Sequence, residues 1–152
     1  MSKGIDKMAT ECENCREAMA RIDIAEALAK FCHNYDSGNF DRLHQTFAAQ
    51  ARIDLGTSFK GTLEQFERWA RTKRESGNRY SHHITNLVVE SGDPDETAKS
   101  TSAVAALAVS GSPDECARLV HGIYFDKWQR QVEGWRIIER EFTPEISVIV
   151  SD

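Results

Sequence analysis

Tyr80-Ser81-His82-His83-Ile84-Thr85-Asn86-Leu87-Val88-Val89-Glu90 is a run of strand-forming residues, and Ser91-Gly92-Asp93-Pro94-Asp95 behind it has the composition of a turn. The pattern then repeats. From Thr97 to Val109 the chain again favours extended structure, and Ser110-Gly111-Ser112-Pro113-Asp114 supplies the next turn. Leu119 to Val132 reads as a third long strand, the Glu133-Gly134 corner leads into Trp135 to Phe142, and Glu145 to Val150 reads as a last short strand. Strands joined consecutively by tight turns form an antiparallel meander.

Upstream of Tyr80 the apolar spacing changes from two to between three and four, the signature of helices. Ile24, Ala25, Leu28, Phe31, Cys32 and Tyr35 mark one helical face, which ends near Gly38. Phe40, Leu43 and Phe47 suggest a second short helix, and Arg52-Ile53-Asp54-Leu55 a brief strand bounded by Gly56. Thr62-Leu63-Glu64-Gln65 fits a capping box, after which Leu63, Phe66, Trp69 and Ala70 give a third helix its buried side. Helices followed by a meander predict an α+β fold, with the helices packed on a strongly curved sheet that encloses a cavity. Residues 1–20 read as an N-terminal extension or helix and residues 21–152 as a single domain.

The chain has 152 residues, 40% of them hydrophobic, which suits one core. A net charge of −5 with Lys and Arg scattered argues against nucleic acid or an anionic membrane as partner. Met1-Ser2-Lys3-Gly4-Ile5-Asp6 lacks the apolar centre of a signal peptide, and no stretch approaches the ~20 apolar residues of a membrane span, so a cytoplasmic protein is expected. Cys12 and Cys15 form a CxxC, but Cys32-His33 does not reproduce a second ligand pair, so neither a zinc site nor a disulfide is expected. Met8, Cys12, Cys15 and Met19 instead recur at helical spacing, as one apolar stripe would.

Period-two alternation puts His83, Thr85, Leu87 and Val89 on one face of their strand and His82, Ile84, Asn86 and Val88 on the other. On the third strand Val120, Gly122, Tyr124, Asp126 and Trp128 share a face, and Leu119, His121, Ile123 and Phe125 share the opposite one. Both faces carry apolar residues, so alternation alone leaves open which is inside.

Four segments carry a resemblance: Tyr35-Asp36-Ser37-Gly38-Asn39-Phe40-Asp41-Arg42-Leu43, Arg52-Ile53-Asp54, Ser81-His82-His83-Ile84-Thr85-Asn86 and Gly134-Trp135-Arg136-Ile137. From about Ile24 to Arg140 the chain resembles the SnoaL-like branch of the nuclear transport factor 2-like superfamily, with its cone-shaped α+β barrel. It is most similar there to the group of scytalone dehydratase, bile-acid dehydratase and hexachlorocyclohexane dehydrochlorinase. The resemblance implies a cofactor-independent lyase or isomerase, dehydratase-like, acting on a small cyclic, polyketide-like or steroid-like substrate in a buried cavity. It places a dyad aspartate on Asp36 and a dyad histidine on His83, with Tyr35 positioning substrate. The second strand-borne histidine of scytalone dehydratase falls in Lys99-Ser100-Thr101-Ser102, where there is none. That enzyme's second pocket tyrosine falls near Leu55, and its serine-asparagine pair near Gly122 and Tyr124, so scytalone itself is not the expected substrate.

An aspartate that accepts a hydrogen bond from one imidazole nitrogen fixes the tautomer and leaves the other nitrogen free to take a proton. Asp36 and His83 are therefore the catalytic candidates, and Tyr35, Leu55, Tyr124, Trp128 and Arg140 the substrate-binding ones. Structural roles stand beside these: Asp36 as a turn residue, His83 as a half-buried strand residue, Tyr124 and Trp128 as core, and Arg140 paired with Glu139 or Glu141. Two other functions share the fold, a ligand carrier without chemistry and the small subunit of a ring-hydroxylating dioxygenase. Relatives assemble as dimers or trimers, and a homo-oligomer is expected.

Overall fold

The computed structural model describes residues 2–93, 96–111 and 117–150, with the side chains of residues 2–12 and Asp93 outside that description. Helix α1 spans Ser2–Asp36; a 3-10 turn follows at Phe40–Gln45, then β1 (Phe47–Asp54), β2 (Lys60–Thr62) and α2 (Leu63–Glu75). Four long strands complete the chain: β3 (Arg79–Asp93), β4 (Thr97–Val109), β5 (Ala117–Gln131) and β6 (Gly134–Val150). The tips expected at Pro94-Asp95 and Ser112-Pro113-Asp114 lie outside the described residues.

Helix α1 buries Ile24, Ala27, Leu28, Phe31, Cys32 and Tyr35, a stripe at three- and four-residue spacing. Its end is a Schellman motif: Gly38, at φ +77°, donates to the Tyr35 carbonyl at 3.0 Å and Asn39 to the Asn34 carbonyl at 2.8 Å. The stripe expected from Met8 to Met19 is not a buried face where it is described, since Cys15 and Met19 are exposed. Helix α2 starts with the expected capping box, in which Thr62 and Gln65 satisfy each other's backbone N–H groups.

The strands form one sheet in the order β2-β1-β6-β5-β4-β3. Strands β3 to β6 are the expected meander, but β1 pairs parallel with β6, so the sheet is mixed and, with β2 and β3 as edges, open. Phe47 belongs to β1 rather than to a helix, and β6 runs on through Pro144 where two strands were expected. The break did not occur because a register shift at this point, with Glu145 as the extra residue on β6 between the pairs His121–Ile146 and Gly122–Pro144, accommodates the proline without ending the ladder.

The helices cover one sheet face. Burial of Tyr124, Asp126 and Trp128 on β5 and of Ser100, Ser102 and Val104 on β4 identifies that face as the inner one. On β3 a bulge between Thr85 and Val88, with Asn86 at φ +52°, inserts one residue and inverts the alternation. Val89 is buried beyond the bulge, while His82 and Ile84 point inward before it.

Candidate active site

Asp36 is the last residue of α1, and the Schellman turn aims its carboxylate at β3. One carboxylate oxygen lies 2.6 Å from His82 Nδ1 and the other accepts the His82 backbone N–H at 2.7 Å. Two hydrogen bonds to one residue fix both the carboxylate and the ring. Nδ1 is the donor when the imidazole is neutral, which leaves the lone pair on Nε2, a nitrogen with no hydrogen-bond partner among the described residues. The carbonyl of Asp36, orphaned at the helix end, accepts from Arg74 Nη1 at 2.8 Å, so the last turn of α2 ties down the residue that holds the histidine.

The resemblance implies this partnership for His83; the geometry gives it to His82. His83 is exposed on the far side of β3, with Ser81 Oγ 3.4 Å from its Nε2. Alternation leaves the inner face of β3 open, and the bulge at Asn86 shows why it cannot decide: Val89 shares alternation with His83 in sequence, but the extra residue puts Val89 on the inner face. His83 lines an outer groove of about 540 Å³ between α1 and β3, together with Cys32, His33 and Asp36.

The inner cavity, about 150 Å³, lies between α1, α2 and the sheet. His82, Tyr35, Leu55, Tyr124 and Arg140 all reach it, with Phe31, Phe66, Trp69, Tyr80 and Phe142 forming most of the remaining aromatic wall. Four of the five expected substrate-binding residues are thus brought together with the aspartate-bound histidine. Trp128 is not among them: it is 1% exposed, and its Nε1 donates to Ser100 Oγ at 2.8 Å, further along the inner face.

Arg140 is 1% exposed, and its partner is neither Glu139 nor Glu141 but Asp126, its register neighbour on β5. Nε and Nη2 donate to the two Asp126 oxygens at 2.7 and 2.8 Å, a bidentate pair. Three rings enclose the guanidinium, with centroids of Phe31 at 4.7 Å, Phe47 at 5.2 Å and Tyr124 at 4.0 Å. Burial alone would lower the Arg140 pKa, but the adjoining Asp126 carboxylate outweighs it and holds the group above its ordinary value. Arg140 Nη1 is left without a partner, a buried N–H beside the cavity.

The tyrosines complete a donor set. Burial raises the Tyr35 phenol well above its ordinary range, helped by Tyr80, Tyr124 and Asp36 nearby, and pushes Tyr124 up to about 12. Both stay protonated, and neither hydroxyl has a hydrogen-bond partner among the described residues. Asp126 and Tyr80 were missed as site residues in the sequence. Asp126 shared the inner face of Tyr124 and Trp128, so an arginine two strand positions from Phe142 could have been matched to it; Tyr80 had no signal beyond its place at the start of β3.

A family profile described as the SnoaL-like domain matches residues 16–141. No curated protein matches the chain in sequence. Among solved structures, one named for scytalone dehydratase, from Novosphingobium aromaticivorans, superposes with a TM-score of 0.82 at 15% identity, covering 91% of this chain and 93% of that one. Hexachlorocyclohexane dehydrochlorinase LinA-type3 from Novosphingobium barchaimii gives 0.78 at 13% identity, with 91% and 94% covered. A protein named for aromatic ring hydroxylases, also from N. aromaticivorans, gives 0.71 at 21% identity, with 88% and 94% covered. At these identities the likeness is one of fold: helices packed on a six-stranded mixed sheet, in the cone-shaped α+β arrangement. With the profile extending over most of its length, the chain belongs to the SnoaL-like domain family.

Proposed function

We propose that the protein is a cofactor-independent lyase or isomerase, with dehydration the leading reaction, and that His82 rather than His83 is its general base. One observation carries this reading: Asp36 holds His82 through Nδ1 at 2.6 Å on the wall of a cavity that also presents Arg140 Nη1 and the phenols of Tyr35 and Tyr124. A substrate C–H beside a carbonyl gives its proton to His82 Nε2. The negative charge that develops on the carbonyl oxygen is received by Arg140 Nη1 and by the phenol of Tyr124 or Tyr35. A leaving group on the next carbon then departs as the double bond forms, and a hydroxide leaving group takes the proton from the His82 imidazolium to become water, which returns His82 to its neutral form. Aromatic walls strengthen each of these interactions by excluding solvent.

The superfamily assignment supports small-molecule binding in general; the dehydratase reading rests on the dyad. No described helix is long and apolar enough to cross a membrane, and the acidic composition supports a cytoplasmic setting. Leu107, Leu119 and Val148, in register across three strands of the outer sheet face, are 40%, 42% and 49% exposed and support assembly as a homo-oligomer.

The test is elimination of water from 3-hydroxycyclohexanone, followed by the ultraviolet absorbance of the enone. His82→Ala should lose the activity by 10²-fold or more, the range general-base removal gives, and His83→Ala should keep it. Loss in His83→Ala with retention in His82→Ala reverses the assignment, and binding of the hydroxyketone without turnover in the unaltered protein identifies a carrier.

A further inference from the structure

The size and floor of the cavity limit what it can hold. Its volume, about 150 Å³, is that of a cavity that accepts benzene and about half the ~300 Å³ at which pockets for drug-sized ligands begin. Phe31 and Tyr35 of α1 and Phe66 and Trp69 of α2 form its upper wall. The floor is built of small residues, because β4 turns Val104, Ala106 and Ala108 inward and β5 adds Val120. Ala106 lies opposite His82 on one side and Val120 on the other, so any side chain longer than alanine at this position projects into the space beside the imidazole. Beside the Tyr35 and Tyr124 hydroxyls, an unpartnered donor at that space is Arg140 Nη1, which is buried and fixed by the two bonds from its neighbours Nε and Nη2 to Asp126. A buried N–H without a partner is costly, and a ligand acceptor relieves that cost.

We infer that the substrate is a single-ring compound carrying a hydrogen-bond acceptor, a cyclic ketone in the simplest case, and that Ala106 and Ala108 leave room for that one ring beside His82 while Val104 and the aromatic wall exclude fused-ring molecules. This inference rests on the lyase reading for its chemistry, but the size limit is a property of binding and is tested by binding. It narrows the polyketide-like and steroid-like classes suggested by family resemblance to their monocyclic members.

The experiment is a titration of the ¹⁵N-labelled full chain, followed by amide chemical shifts, with cyclohexanone, 2-decalone and androst-4-ene-3,17-dione. Cyclohexanone should shift amides around His82, Ala106 and Tyr124, with 2-decalone at least tenfold weaker and the steroid without effect at those positions. Ala106→Leu should weaken cyclohexanone at least tenfold; Ala106→Val serves if the larger residue does not fold. Val104→Ala, which removes two methyl groups from the floor, should bring 2-decalone to within about threefold of cyclohexanone. Equal or tighter binding of 2-decalone or the steroid by the unaltered protein overturns the inference, as does the absence of binding by all three, or an Ala106→Leu protein that folds and binds cyclohexanone unchanged. The expected size order without turnover of 3-hydroxycyclohexanone leaves the single-ring limit standing and removes the lyase reading alone.

Discussion

Asp126→Ala removes the carboxylate from a bidentate pair in which both side chains are essentially out of water, at 1% and 0% exposure. Arg140 cannot escape by moving outward, since Phe31, Phe47 and Tyr124 enclose it and β6 fixes its backbone. It cannot lose its proton either, because a guanidinium stays charged at any pH the fold survives. The variant therefore carries an unpaired buried cation, which costs about 3–5 kcal/mol. The three ring contacts are already present in the native protein and offer no new compensation. For a chain of this length each kcal/mol lowers the melting temperature by about 2–4 °C, so a fall of about 6–20 °C is expected. Urea unfolding followed by circular dichroism gives the free energy directly. Asp126→Leu combined with Arg140→Met, which replaces the pair with apolar groups of similar bulk, should recover most of the loss. A cost below about 1 kcal/mol for Asp126→Ala, or a double variant no more stable than the single one, refutes the claim that the aspartate is there to neutralise a trapped arginine.

The remaining expectations concern the cavity wall and the hold on Asp36. The chain has three tyrosines, and burial raises Tyr35, Tyr80 and Tyr124 alike, so the folded protein should show little phenolate absorbance at about pH 10, where the unfolded chain is half ionised. Because the folded values lie above the unfolded ones, the tyrosine contribution to stability is complete below about pH 10 and is lost as pH rises toward the folded values; half-ionisation of the native protein at pH 10 contradicts the burial of these phenols. Arg74→Ala removes the donor to the Asp36 carbonyl and should lower stability by about 1–2 kcal/mol in urea unfolding, with Arg74→Lys intermediate. An unchanged midpoint in Arg74→Ala would show that the α2–α1 tie contributes nothing.

The α+β class, the order of helices before meander and the capping box at Thr62 were legible because each depends on local chemistry: apolar spacing, turn residues and a Thr-x-x-Gln pattern. The parallel pairing of β1 with β6 was not, since nothing in Phe47–Asp54 records a partner more than eighty residues away. Of the residues named from the sequence, Tyr35, Leu55, Tyr124 and Arg140 line the cavity; resemblance or inner-face position pointed to the first three, whereas for Arg140 an ion pair was the leading expectation. The choice of His83 over the adjacent His82 came from resemblance, because alternation leaves the inner face open, and the bulge at Asn86, which exchanges the two faces of β3 along its length, leaves no mark in an alternation pattern. Trp128 shows the opposite limit: it shares a face with Tyr124, as the pattern said, yet lies far enough along the strand to meet Ser100 instead of the cavity.

The central claim is that Asp36 orients His82 so that Nε2 is the free base. Two-bond ¹H–¹⁵N correlation spectra of the imidazoles, recorded at rising pH until the His82 signals stop moving, read that tautomer without any substrate. The account expects the His82 proton on Nδ1 and a bare Nε2, with this preference lost in Asp36→Asn, whose amide can donate to the ring as readily as it accepts. A His82 proton on Nε2 in the unaltered protein, or a tautomer indifferent to Asp36→Asn, contradicts it.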